Sequence, residues 1–589
     1  MNKTSKVKCL LLPVVIASAG VFVGCTNNDY DFNEVDMTLG LGGNELLIPT
    51  STTKEIALDD ILKINEGDCV KILENGDYVF TQEGSDVEPA HPFVERVTLV
   101  QASEPVTFDF SLDTYLNPAA ARNRARASVP VDAKAEIVKF EYEAEQPEIL
   151  SITSANVDAT MTLTTSFSPN LSKCIGTFDK LTWELPQSMK IENATVSSGV
   201  LDSSFKGTNM LIVEGVSTAK DVVITINIKT LDFSDSNNKE LVINNGKMEL
   251  NGAIQLGIQS SVEITPDMVQ YLNNCYLSSK LAFTEIPIIG AVGKFDPKIN
   301  LDDLGNVDVT GVPDFLKEDA VVVDLANPQI LVEIDNEMDA AAKISSATLT
   351  AIKDGKETTV NIPTIAIHPA QVTKICICRD ASKVQTAYAD YDKYPVNNLS
   401  DIISTIPDRI TFAVSDIKVD NSRNSSFDLG REYSIKPSYN IVAPIAFGEK
   451  ANIVYTDSID GIYDDIDGVE LAKDAYVEVT ANVENKLPIF LSTSVTPLDV
   501  NGNDLSQSVK VTVVDNIPAA EEGKTAHGSI KITVKGDIKQ LDKLKFRIEG
   551  SASKGETSIT GITLNKDKHS LKLDNVKAKL VGKVIYDAN

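Results

Sequence analysis

The sequence predicts an all-β chain of tandem immunoglobulin-like β-sandwich modules with a few short helices. Three observations predict it. Segments such as "KDVVITINIKTLDF", "AYVEVTANVEN", "SVKVTVVDN" and "GSIKITVKGD" alternate apolar and polar residues and are rich in β-branched side chains, the period-two pattern of half-buried strands. Asn75-Gly76, Asp354-Gly355 and Asn501-Gly502 separate apolar runs. They mark hairpins, because a tight turn needs positive φ at its central residues. Finally, a stretch beginning at Ile330 returns in altered form at Val479.

In that repeat Ile330, Val332 and Ile334 align with Val479, Ala481 and Val483, and each set leads into an asparagine, Asn336 or Asn485. A second apolar run follows, then the Asp354-Gly355 or Asn501-Gly502 turn. Next come Ile362-Pro363 or Ile517-Pro518, and the strands "TKICIC" or "GSIKITV". A fainter copy sets Asn156 between apolar runs, with Leu185-Pro186 behind it. Asn accepts turn geometry and bonds its own backbone. Pro488 donates no ladder bond and suits a strand edge or crossing. Strand, Asn break and second strand therefore let the chain step from one sheet to the other. The pattern resembles the strand–Asn–x–x–Pro–strand signature of the water-stress, LEA-type-2 β-sandwich, with Met338-Asp339 where the second copy has Leu487-Pro488. That resemblance implies a sandwich and no particular activity.

Along the chain, residues 1–24 read as an export signal and 25–121 as a tether with an N-terminal β-rich region. Residues 131–310, 311–455 and 456–589 read as three sandwich modules. Lys3, Lys6 and Lys8 form a basic start before an apolar run, Leu10 to Val23, interrupted by Pro13. The run is shorter than the roughly 20 apolar residues that span a bilayer. Phe22-Val23-Gly24-Cys25 resembles a bacterial lipobox, with Phe22 where that family usually has Leu. The resemblance implies a diacylglycerol on the Cys25 thiol, cleavage before Cys25, acylation of its new amine by chains such as palmitate, and the membrane as a partner. Several chains hold firmly where one does not. Acids at Asp29, Asp31 and Glu34 resemble the surface-export signal of Bacteroides-type lipoproteins, which implies the outer membrane and its outward face.

The stretch "NPAAARNRARASVPVDAK" reads as a linker. Arg122, Arg124 and Arg126 stand there among small residues. They fit a cleavage site for an Arg-specific protease, since exposed small-residue loops are nicked first, and they fit a solvated hinge better. Cleavage would resemble the maturation of major-fimbria precursors and imply a fimbria-like subunit. Helices are expected at Thr265-Pro266-Asp267, at Ser400-Asp401 and over Ile56 to Ile64, the first from a capping Thr followed by Pro.

Chemistry is sparse. Without residues 1–24 the chain keeps 51 basic and 84 acidic residues, a net charge of −33, which repels nucleic acid. There is no Gly-x-Ser-x-Gly elbow, zinc helix or phosphate-cradling loop. His91, His368, His527 and His569 are scattered. Cys69, Cys174, Cys275, Cys376 and Cys378 are odd in number and far apart, unlike a disulfide framework. Alternation puts Cys376 and Cys378 on one strand face and Ile375 with Ile377 on the other; buried thiols fit better than a metal pair. In "YTDSIDGIYDDIDGVE" Asp465, Asp467 and Gly468 match three positions of an EF-hand loop, but Tyr463 occupies the first. Asp457, Asp460, Asp464, Asp465 and Asp467 leave room for a looser calcium site, although such charge runs usually face water. No other cofactor is indicated. Trp183, alternating with Leu181 and Leu185, reads as core. The expectation is a non-catalytic, lipid-anchored cell-surface protein for adhesion, scaffolding or ligand capture, with a protein or glycan ligand. The alternatives are a glycan-binding protein of a polysaccharide-uptake system and the fimbria-like subunit.

Overall fold

The computed structural model describes residues 39–586 except 42–44, 50–53, 59–61, 63, 65–66, 85–86, 117–126, 284, 302, 314–315, 317–319 and 466–468. Within these residues the protein is all-β, with antiparallel sheets stacked as sandwiches.

The second sandwich shows the plan most clearly. One sheet runs Asp392–Pro395, Gln371–Cys378, Gln329–Asn336, Ile435–Pro444, Tyr78–Glu83 and Val70–Ile72. The other runs Asp303–Asp308, Arg409–Val419, Ala342–Lys353 and Lys356–Ile362, with Ile365–Ile367 also on Ala342–Lys353. Phe412 of one sheet meets Tyr439 of the other edge to face, ring centroids 6.2 Å apart. The third sandwich sets Glu45–Pro49, Ser570–Val581, Tyr476–Asn485, Ala526–Gly536 and Val509–Asn516 against Asn452–Ile459, Lys543–Ser551 and Phe490–Leu498. The first has long strands: Ile149–Phe167 lies between Val222–Asp232 and Ile286–Phe295, and Lys247–Ile264 between Ala127–Glu145 and Thr177–Glu184. Phe167 and Phe178 pack between its two faces, 6.0 Å apart, and Trp183 is fully buried as the alternation predicts.

Each Asn of the repeat sits at a sheet-to-sheet step. Asn336 ends Gln329–Asn336, and the chain re-enters the opposite sheet at Ala342. Its Oδ1 accepts the Met338 N–H at 3.0 Å, while Nδ2 donates to the carbonyls of Ala340 and His368 at 2.9 and 2.8 Å. Asn485 does the same: Oδ1 accepts from Leu487 N–H at 2.8 Å, and Nδ2 donates to Ile489 and Pro518 at 3.0 and 2.8 Å. Both side chains are buried. A buried amide that ties the turn to a later segment fixes where the chain leaves the sheet. The counterpart of Pro518 is thus His368, before Pro369, and not Pro363 of the Ile-Pro pairing. Met338 and Leu487 are both buried and fill the same place. Asp339 departs from Pro488 for a visible reason: its carboxylate accepts the Ser426 N–H and an Arg423 N–H. Strand Ser425–Asp428 pairs with Gly290–Gly293 of the first sandwich, so Asp339 ties the corner to that seam.

Residues 39–111 build no sheet of their own among the described residues. They run along the three sandwiches in reverse order and lie antiparallel beside the last strand of each. Glu45–Pro49 and Lys54–Ala57 pair with Ser570–Val581. Tyr78–Glu83 pairs with Ile435–Pro444. Val97–Gln101 pairs with Ile286–Ile288 and also with Glu143 and Tyr142, joining the two faces of the first sandwich.

Several local expectations change. Asn75-Gly76 and Asp354-Gly355 do turn hairpins, with φ of 48° and 75° at Asp354 and Gly355. Asn501-Gly502 turns the chain between strands of different sheets, because Asp499 caps the Asn501 and Asn503 N–H groups instead of a ladder forming. Asn156 makes no step. It is exposed within the unbroken strand Ile149–Phe167, at a register shift. Of the expected helix over Ile56 to Ile64, Ile56 and Ala57 are strand, held by Leu571 and Ser570, while Leu58 and Leu62 are helical. The other two expected helices are 3₁₀ turns, Val269–Tyr271 and Leu399–Ile403. Helix Pro169–Cys174, capped by Ser168, was not expected; Ser-Pro before an apolar residue was its signal. Asp303–Asp308 belongs to the second sandwich and Asn452–Ile459 to the third, which moves both inner boundaries.

Candidate functional site

A polar cavity of about 480 Å³ opens where the Asn75-Gly76 hairpin meets the third sandwich. Asp77, Lys486, Glu522, Lys524, Lys568 and His569 line it. Its floor is a loop organised by Asn565. Asn565 Oδ1 accepts from the Asp567 and Lys568 N–H groups at 3.0 and 3.2 Å, and Nδ2 donates to Asn75 O and Asp77 Oδ1 at 3.0 and 2.8 Å. Gly76, at φ +85°, brings its backbone so close that a Cβ would sit 2.7 Å from Asp567 Oδ2. The positive φ is what calls for glycine there, since the Asp567 carboxylate can shift.

His569 is 7 % exposed, and its Nδ1 accepts the Asn565 N–H at 3.0 Å. That bond assigns the ring proton to Nε2. Burial, then the Lys568 charge, pushes its pKa below the ordinary 6.5, against the pull of Asp77 and Glu522. The ring is a neutral donor in the cavity wall. The arrangement offers ammonium, carboxylate and imidazole groups at the mouth of one cleft, a set suited to holding a polar ligand.

The residues singled out from sequence are not gathered at this cavity. Cys25, Arg122, Arg124, Arg126 and Asp467 lie outside the described residues, as do the side chains of Asp457 and Asp465. Asp460 faces Lys543 at 3.6 Å, and Asp464 lies on the one-turn helix Ile462–Asp465. Among the described residues no three His, Cys, Asp or Glu groups are placed to hold a metal ion. His91 and His527 are exposed, and His368 bonds Asp392 at 3.1 Å. Sequence reasoning passed over His569. The hairpin signal Asn75-Gly76 was legible, but its contact with residue 565 joins chain ends nearly 500 positions apart.

The cysteines are all buried free thiols among the described residues. Ile375 and Ile377 enter the main core, while Cys376 and Cys378 point to the opposite face, covered by Val384, Tyr388 and Tyr391. The Cys376 thiol is pushed well up by its hydrogen bond with Cys378 and then by burial.

No family model matches the chain, and no curated protein matches it. Among solved structures it is similar to a protein from Parabacteroides distasonis whose name gives it as secreted, at 14% identity and TM-score 0.34, over 50% of this chain and 83% of that one. It also matches a chain from a structure described as the triple jelly roll fold and turret assembly in an archaeal virus, at 9% identity and TM-score 0.12, over 82% of this chain and 98% of that one. A Sulfolobus turreted icosahedral virus chain gives 7% and 0.12 over the same shares. These likenesses are too distant to bear on this chain's fold or role. No helix among the described residues is long and apolar enough to cross a membrane.

Proposed function

We propose that this is a non-catalytic protein of the outer membrane, lipid-anchored at Cys25, whose stacked sandwiches scaffold an adhesive or ligand-capturing surface away from the bilayer. The observation that carries the reading is the path of the N-terminal segment. Leu39–Leu41 pairs with Val584–Tyr586 at the chain's other end, and the segment then adds a strand to the third, second and first sandwiches in turn. A chain held at Cys25 therefore keeps the third sandwich near the bilayer, on a tether of 14 residues that reaches at most roughly 50 Å. The first sandwich then stands farthest out.

The test is fractionation and surface access in cells. Wild type is expected in the outer membrane, labelled by palmitate and open to external antibody against the first sandwich. Cys25→Ser is expected in the aqueous fraction. Wild type found wholly in the aqueous fraction overturns the anchor, and turnover abolished by a single carboxylate substitution overturns the non-catalytic role. A second reading, capture of a glycan for uptake, is favoured by the polar cavity. Retardation by an acidic polysaccharide in native gels, lost in Lys568→Ala, supports it; no retardation across a broad panel discards it.

A further inference from the structure

Cys174 and Cys275 are 101 positions apart in sequence, yet both are buried in one core. Local geometry brings their thiols to the same turn. Cys174 Sγ approaches the Met268 carbonyl at 3.9 Å and Cys275 Sγ the Tyr271 carbonyl at 3.1 Å, both on one 3₁₀ turn. Helix Pro169–Cys174 is fastened to the segment carrying Cys275. Ser168 Oγ donates to Asn274 O and accepts the Tyr276 N–H, and Asn170 Nδ2 donates to Asn273 O. Lys173 lies over the Tyr271 ring, 4.4 Å from its centroid.

We propose that Cys174 and Cys275 are a disulfide-forming pair, cross-linked when the exported chain meets a disulfide-bearing oxidant. One thiolate attacks the oxidant's S–S bond, forming a mixed disulfide and releasing one thiol. The second thiolate attacks the protein sulfur of that intermediate and expels the other thiol. Two protein thiols lose two protons and two electrons, and the oxidant's disulfide becomes two thiols. Extracytoplasmic compartments favour such bonds, so this inference rests on export and not on the lipid anchor.

Cys376 and Cys378 do not suit the same reaction. Two residues apart on a strand, their Cα atoms stand about 6.6–6.8 Å apart, the outer edge of what a disulfide spans. Their strand is also hydrogen-bonded on both sides. Burial, with Cys174 and Asp113 adding to it, pushes the Cys275 thiol up to about 12. Attack by the folded protein is therefore slow, and the bond closes during folding.

The experiment uses residues 26–589, reduced, unfolded and refolded with oxidised and reduced glutathione. The expected product is about 2 Da lighter than the reduced chain, alkylates three cysteines when denatured without reductant, and yields one cross-linked peptide pair holding Cys174 and Cys275. Its melting temperature exceeds that of the same protein refolded with reductant, a comparison that needs no variant. Cys174→Ser with Cys275→Ser is expected to show no mass loss under the same treatment. Five alkylated thiols after oxidative refolding, or a cross-link at any other pair, overturns the proposal.

Discussion

Asn336 and Asn485 share a spacing, a set of hydrogen bonds and a task, whereas Asn156 shares only the flanking apolar runs. The two corner residues are buried, with their amides spent on one backbone N–H and two carbonyls each. Asn156 is exposed, and its strand continues through to Phe167. An apolar–Asn–apolar pattern is therefore not enough to turn a chain between sheets. The amide must also find carbonyls on the turn and on a segment just past a strand about thirty residues later, so that leaving the sheet costs no buried polar group its partner. At Asn156 the first sandwich shows no such corner: Ile149–Phe167 runs on through register shifts there, since bulges bend and twist a strand without ending it.

The sharpest way to break the comparison is to remove the donor while keeping the shape. Asn336→Asp and Asn485→Asp set a carboxylate against two carbonyl oxygens in a buried turn. Each is expected to cost about 3–5 kcal/mol in urea unfolding, because an uncompensated buried charge is left behind. The loss should shrink in acid: the protonated carboxyl regains one donor and is favoured by burial, so stability relative to wild type recovers as pH falls. A loss independent of pH would show that the amide acts through packing alone. Asn336→Ala and Asn485→Ala strand two carbonyls and one N–H without adding charge, and about 2–4 kcal/mol is expected from each.

These corners also mark how far the sequence could be read. Strand alternation gave the all-β class, the hairpins at Asn75-Gly76 and Asp354-Gly355 and the burial of Trp183, because each depends on neighbours within a few residues. The matched Asn positions were legible because a side chain bonding its own turn leaves a local trace. The N-terminal segment's path was not. Glu45–Pro49 looks the same in sequence whether it pairs nearby or, as here, with residues beyond 570. The cavity was hidden for the same reason: Asp77 and His569 meet only after the chain ends are brought together.

His569 gives a smaller effect, confined to the third sandwich and the hairpin beside it. Its folded pKa lies below the ordinary 6.5. The unfolded chain therefore takes up a proton more readily than the native state as pH falls. The contribution is fully present above 6.5 and is lost as pH drops through 6.5 toward the lower folded value. His569→Gln should flatten that part of the melting-temperature profile while leaving the acid recovery of the Asn336→Asp variant in place. An unchanged profile would mean that burial beside Lys568 does not hold the ring below its ordinary pKa.

The smallest expected effect tests the other side of the comparison. Asn156→Ala removes an exposed amide at a register shift, and nothing buried loses a partner. Surface substitutions of that kind stay within about 0.5 kcal/mol, and urea unfolding should place this variant there. A loss near that of Asn336→Ala would make Asn156 a third corner in disguise, its bond formed in solution and its strand broken there. A negligible loss leaves two corners and one bent strand: Asn336 and Asn485 each fix a step between sheets, and Asn156 lies in a strand that runs on without one.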